Sequence, residues 1–68
     1  MTYTVVIEQA PHNYAAFVPD LPGCIATGAT VEEVTENIRQ AIVWHIDALR
    51  EEHVEVPEPR ARAALVDV

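Results

Sequence analysis

Apolar and polar positions follow two different patterns along this chain. The first part has short runs typical of extended strands, and the part after residue 30 has the spacing of a helix. Residues 3–8, 14–18 and 24–27 are rich in β-branched, aromatic and small apolar residues, which is typical of strands. Both faces of these predicted strands carry apolar side chains. One helix covers only one face of a sheet, so we expect the other face to take part in an interface.

The helical spacing begins after Thr30, which is a predicted N-cap. Glu33 follows three residues later, and this pair has the spacing of a capping box. At about 100° per residue, one apolar stripe continues for several turns. Its members are Val31, Val34, Ile38, Ala41, Ile42, His45 and Leu49. The sequence therefore predicts one long amphipathic helix that ends near Glu52.

The last part of the chain returns to extended patterns. Pro57 and Pro59 exclude a continued helix, and residues 63–68 end in an alternation that predicts a fourth strand. The predicted fold is α+β in the order β-β-β-α-β. An antiparallel sheet carries one long helix on one face, and residues 1–68 form a single domain.

The segment 19–23 is the sharpest turn signal. Proline fixes φ and cannot donate to a sheet, whereas glycine accepts a positive φ, so this segment must join two strands. Gly28 ends the third predicted strand just before the helix. We expect structural roles at six positions, which are Pro19, Pro22, Gly23, Gly28, Thr30 and Glu33.

Size and charge limit the function classes. A chain of 68 residues builds a core that rarely supplies more than about 3–5 kcal/mol, so we expect a homo-oligomer, either a dimer or a tetramer. Eleven acids face four arginines and no lysine, for a net charge of −7. This balance disfavours binding to phosphate backbones and favours a basic protein partner. The alternative is that the acidity only keeps a small protein in solution.

Residues with catalytic chemistry are few and scattered. Cys24 is the single cysteine, so an intrachain disulfide is excluded, and no signature of a cysteine nucleophile surrounds it. His45 lies in the apolar stripe and is interpreted as a core or interface residue. His53 is eight positions away, too far to share one metal. A nuclease site built from Glu8, Asp20 and Asp67 is a further alternative. We predict no enzyme activity, no metal and no cofactor.

Two further expectations concern location and recognition. The N-terminus lacks a basic signal region and the apolar run at residues 5–7 is too short to span a membrane, so we expect a cytoplasmic protein. Trp44 lies beside the apolar stripe and is either the rim of the core or an anchor for a partner.

Several motifs together resemble the HicB family of small antitoxins. They are the run PDLPGC at 19–24, the pattern G-x-T-x-E-E at 28–33, an aromatic at Tyr14, the helix segment 41–49 and the exit Pro57-x-Pro59. HicB-like sequences usually have glycine near position 53, where this chain has His53. The resemblance implies a truncated RNase H-like core.

The resemblance also implies a function. HicB-like antitoxins neutralise HicA-like toxins, which are small basic RNA-cleaving proteins, by covering the RNA-binding surface and the active histidine. We expect Asp20, Leu21, Pro22 and Trp44 to contact such a toxin. The loop and the tryptophan are both expected to be exposed, and both have a distinct shape that a partner could fit. No C-terminal DNA-binding domain and no direct nucleic acid binding are expected. The alternative is a solitary oligomeric regulatory or ligand-binding module without a toxin.

Overall fold

Three short strands form the antiparallel sheet that the sequence predicts. The computed structural model describes residues 1–68, and its strands are β1 (Val6–Gln9), β2 (Tyr14–Phe17) and β3 (Ile25–Gly28). The sheet order is β1-β2-β3, so β2 is central and both outer strands have one free edge. A single helix, α1 (Val31–Glu51), follows β3 and packs on one sheet face. The α+β class and the meander are confirmed.

The strand register sorts the side chains onto two unequal faces. Ile7, Ala16 and Ala26 lie opposite one another on one sheet face, and α1 covers this face over β2 and β3 while Ile7 on the edge strand stays exposed. Val6, Phe17 and Ile25 form the matching row on the other face. Ala16 is 2% exposed, whereas Ile25 is 70% exposed. The helix therefore covers one face, and the predicted bare apolar face is present.

The buried core is small. Six apolar residues are buried between the sheet, the loop after β2 and the helix, and they are Ala16, Val18, Leu21, Cys24, Val34 and Ile38. Partly buried side chains from the N-terminal segment and the helix surround them, among them Tyr3 and Ile42. Gly28 is the only other buried residue of the 68. A core this small fits a domain near the lower limit of independent stability.

Two consecutive turns shape the loop between β2 and β3. The Leu21 amide donates to the Val18 carbonyl at 3.1 Å, and the Cys24 amide donates to the Leu21 carbonyl at 3.0 Å. Each turn has proline at its second position, where a fixed φ is favourable. Gly23, at the third position of the second turn, has φ 85° and so uses the freedom of glycine. The predicted structural roles of Pro19, Pro22 and Gly23 agree with this geometry.

The two ends of α1 close by side-chain and backbone bonds. The Thr30 hydroxyl accepts a hydrogen bond from the Glu33 amide at 3.0 Å, which confirms the predicted N-cap. The reciprocal bond of a capping box, from the Glu33 carboxylate to the Thr30 amide, is not formed.

At the C-terminal end, the His53 amide donates to Arg50 and the Val54 amide donates to Leu49. This is the Schellman arrangement, and His53 takes the left-handed position with φ 57°.

The predicted fourth strand at 63–68 is wrong, because the structure contains no strand after α1. Leu65, Val66 and Val68 project into solvent instead of joining the sheet. The radius of gyration is 13.0 Å, compared with about 11 Å expected for a compact chain of this length. Local alternation made these residues suitable for a strand, but a strand also needs an edge to pair with.

Candidate partner-binding surface

Asp20, which we expected to meet a partner, makes its contacts inside the fold. Its Oδ2 accepts hydrogen bonds from the backbone amides of Arg60 at 3.0 Å and Ala61 at 2.9 Å. The segment after α1 is held further by the Thr4 hydroxyl, which donates to the Ala61 carbonyl at 2.8 Å. Asp20 therefore fastens residues 60–61 to the loop between β2 and β3.

The neighbouring loop residues differ in accessibility. Leu21 is 0% exposed, because the two turns direct its side chain into the core. The expectation that Leu21 is exposed is therefore wrong, and its side chain is out of reach of a partner in this conformation. Pro22 stands at the exposed tip of the second turn. Contact between Pro22 and a partner stays a prediction.

Trp44 is 67% exposed on α1, so most of the indole faces solvent. Its direction follows from Asn37, whose Nδ2 donates to the Thr27 carbonyl of β3 at 2.9 Å. Seven residues add about 700° of helical rotation, so Trp44 lies within roughly 20° of Asn37 around the axis. Trp44 thus stands on the β3 side of the helix. Its role as an anchor stays a prediction.

An acidic surface lies on the outer side of the helix. It is formed by four exposed carboxylates that we call the acidic helix face, namely Glu33, Glu36, Asp47 and Glu51. At about 100° per residue, these positions lie roughly 140° to 180° from the buried Ile38, and Trp44 is at their border. This grouping is not among the residues singled out above, although the helical spacing of the acids predicts it.

One arginine moderates the charge of this face. Arg39 donates to both carboxylate oxygens of Glu36. This hydrogen bond and the adjacent positive charge lower the pKa of Glu36. Both side chains are exposed, so the pair is screened by solvent and adds little to stability. Asp47 and Glu51 make no ion pair, so no bound arginine neutralises their charges.

The residues with catalytic potential are not assembled into a site. Cys24 is buried, and desolvation raises the pKa of its thiol, which disfavours the nucleophilic thiolate. No group of three or more histidine, cysteine or acidic side chains is arranged to hold a metal ion. Glu8, Asp20 and Asp67 therefore do not form the metal site that the nuclease alternative requires. No helix is both long and apolar enough to cross a membrane.

A groove opens between the N-terminal segment and α1. We call it the β1 groove, and its apolar floor is formed by Tyr3, Val5, Ile38, Ile42 and Ile46. Its volume is about 580 Å³. The sequence pattern does not predict this groove, because it results from a sheet that stops at β1.

The comparison with known families decides which group these features belong to. Residues 3–67 match the profile of the family described as HicB-like antitoxin of bacterial toxin–antitoxin system. The chain belongs to this family. The suspected HicB resemblance is thereby confirmed over nearly all of the sequence.

Several curated relatives of this HicB-like chain extend the similarity. A UPF0150 protein of Thermoplasma acidophilum is 36% identical over 67 residues, which is 97% of each chain. A UPF0150 protein of Helicobacter pylori is 41% identical over 49 residues, covering 72% of this chain and 68% of the relative. An uncharacterised 14.9 kDa protein of Haemophilus phage HP1 is 38% identical over 58 residues, covering 85% of this chain. This chain spans 44% of the phage protein's length.

A solved structure shares the fold. The chain superimposes on one chain of a HicA3 and HicB3 toxin–antitoxin complex with a TM-score of 0.75 at 28% identity. The match covers 87% of this chain and 70% of the other. The antitoxin family and the α+β fold are therefore supported by both sequence and structure.

Proposed function

We propose that this HicB-like chain binds a HicA-like toxin and neutralises it by covering its RNA-binding surface. The observation that carries the proposal is the structural match to a chain of a HicA3–HicB3 complex, together with the family match over residues 3–67. The mechanism is steric and electrostatic. This mechanism needs no catalysis by the HicB-like chain.

The acidic helix face is the part of the surface best suited to a basic partner. Complementary charges raise the rate of encounter, and an exposed aromatic side chain supplies contact area after docking. Asp47, Glu51 and Trp44 provide both features on one stretch of α1. We propose that the toxin docks against this face, with Trp44 as the apolar anchor.

Co-expression with the product of the adjacent gene tests the proposal. If that gene encodes a small basic protein, its expression alone should arrest growth and degrade cellular RNA, and the HicB-like chain should restore both. The purified proteins should form a complex on a sizing column. Failure to bind and to restore growth would contradict the antitoxin proposal and favour a module that acts without a toxin.

A charge-reversal pair locates the surface. Asp47→Lys with Glu51→Lys should slow association by roughly tenfold at low salt, because the attractive field is reversed at the proposed contact. The matched control is Glu55→Lys with Glu58→Lys, which makes the same change of net charge on exposed residues after the helix. Equal slowing by both pairs would show that net charge acts without a specific acidic face.

A further inference from the structure

Residues 62–68, the C-terminal tail, form an apolar segment without a partner. Leu65 and Val68 are fully exposed, and Val66 is 78% exposed. No backbone hydrogen bond within the chain reaches beyond Val54, so the amides and carbonyls of the tail are unpaired by backbone. An extended apolar segment with free backbone groups is suited to pairing with a strand edge.

The sheet offers a matching vacancy beside β1. β1 pairs only with β2, so its other edge presents unpaired backbone groups. The β1 groove lies beside the segment that leads into β1, between Val5 on that segment and Ile42 on the helix. Three charged side chains of the helix also line it, and they are Arg39, Asp47 and Arg50. Its volume of about 580 Å³ would hold on the order of twenty waters, against a mainly apolar lining. A strand added along β1 would direct every second side chain into this groove.

We propose that the C-terminal tail of a second copy fills this vacancy, and that two copies exchange tails reciprocally to form a homodimer. Each tail lies along the β1 edge of its partner. Apolar side chains from Leu65, Val66 or Val68 occupy the partner's β1 groove. The fourth strand that the sequence predicts is thus completed between chains.

The bend at residues 60–61 directs the tail away from the domain of its own chain. Successive amides of a strand point to opposite sides, whereas Arg60 and Ala61 both donate to the same oxygen of Asp20. The chain therefore turns at this point. Ala61 is tethered to Thr4, just before β1, and yet the tail that follows makes no pairing with its own β1.

A second copy is also the partner that the energetics favour. The domain buries few residues, and burying the tail and the groove together would enlarge the apolar core of each copy. Exchange of identical segments across a two-fold axis gives a closed dimer in which both vacancies are filled. This assembly leaves Trp44 accessible, because Trp44 stands on the β3 side of the helix. Asp47 belongs to the acidic helix face and also lines the β1 groove, so the two proposed surfaces adjoin at this residue.

Light scattering on the purified chain tests the exchange. The native protein should have twice the mass of the 7.5 kDa chain at micromolar concentration. Leu65→Asp with Val66→Asp should yield monomers, because the new carboxylates would lose their hydration against the apolar floor of the groove. The control, Val31→Asp with Val54→Asp, adds the same charge at exposed apolar residues that lie outside both the tail and the groove lining, and it should stay dimeric. A native monomer, or a dimer that survives the tail substitutions, would overturn the proposal.

Hydrogen exchange on the native protein decides the case even if a variant folds poorly. Amides in residues 5–9 and in residues 62–68 should become protected together as protein concentration rises through the dimer transition. Protection that is equal at all concentrations would show that each tail pairs with its own β1. Absence of protection in the tail of a confirmed dimer would show that the copies meet elsewhere. Either result would overturn the exchange.

Discussion

Gly28 and Val34 lie in direct backbone contact where β3 meets the first turn of α1. A Cβ atom at Gly28 would stand 2.6 Å from the Val34 amide nitrogen and 2.8 Å from its Cα. Both are backbone atoms, so no side-chain rotation relieves the overlap. Only glycine allows the helix to pack this closely on the sheet.

Gly28→Ala should therefore destabilise the protein by roughly 1–3 kcal/mol, the usual range for overpacking. The measurement is a urea titration followed by circular dichroism. Gly23→Ala is the informative comparison, because a Cβ there has no neighbour within 4 Å but the φ of 85° is unfavourable for alanine. A Gly28→Ala protein as stable as the native one would contradict the close approach.

Thr30→Ala should cost about 0.5–2 kcal/mol, because the Glu33 amide loses its side-chain acceptor. Thr30→Ser keeps the hydroxyl and should retain most of the stability. Glu33→Gln should have a small effect, since the reciprocal bond is not formed. Thermal melts of the three variants would show whether the cap acts through Thr30 alone.

Asp20→Ala should destabilise the fold by roughly 1–3 kcal/mol, because two backbone amides lose a charged acceptor. Asp20→Asn is the control, since an amide oxygen still accepts both bonds, and its loss should be smaller. Proteolysis should also cut near residues 60–61 faster in the alanine variant. An Asp20→Ala protein as stable as the native one would mean that water replaces the carboxylate without loss.

His53→Gly should stabilise the protein by about 1 kcal/mol. The left-handed conformation costs roughly 1–2 kcal/mol for a residue with a Cβ. Glycine removes this cost, but it loses more conformational entropy on folding, so the net gain is smaller. The observed φ of 57° locates that strain at His53. His53→Ala retains the Cβ and should bring no gain. Denaturant midpoints of both variants give the comparison.

Trp44→Ala should increase the dissociation rate of the proposed toxin complex, in line with aromatic anchors worth about 2 kcal/mol or more. The melting temperature should change little, because Trp44 is mostly exposed. Val43→Ala, at the next exposed apolar position, is the control. Association should also slow as salt rises, because screening acts beyond about 8 Å at physiological ionic strength. A variant that melts early but binds normally would assign Trp44 to the core rim.

The elements that the sequence predicted correctly are those with local causes. The helix follows from its apolar period and from Thr30, and the loop after β2 follows from proline and glycine geometry. The errors concern tertiary contacts. Leu21 was expected to be exposed because loops usually are, but two adjacent turns direct it inward. The tail has the alternation of a strand, but it pairs with no strand of its own chain.

Candidate surface residues were predicted with less success for the same reason. Trp44 was singled out by residue type, and its exposure agrees with that choice. Asp20 was singled out by its loop, but its two amide contacts come from residues forty positions later. Such long-range bonds leave no periodic trace in the sequence. The acidic helix face, by contrast, was accessible from helical spacing alone.

The buried thiol of Cys24 gives the protein a built-in reporter of its own opening. It is the only cysteine, it packs among Val18, Leu21 and Ile38, and burial raises its pKa. A thiol reagent therefore modifies it only during excursions that expose the core. The labelling rate, measured with and without a bound protein, therefore shows how strongly binding suppresses transient opening of the core. No engineered probe is needed.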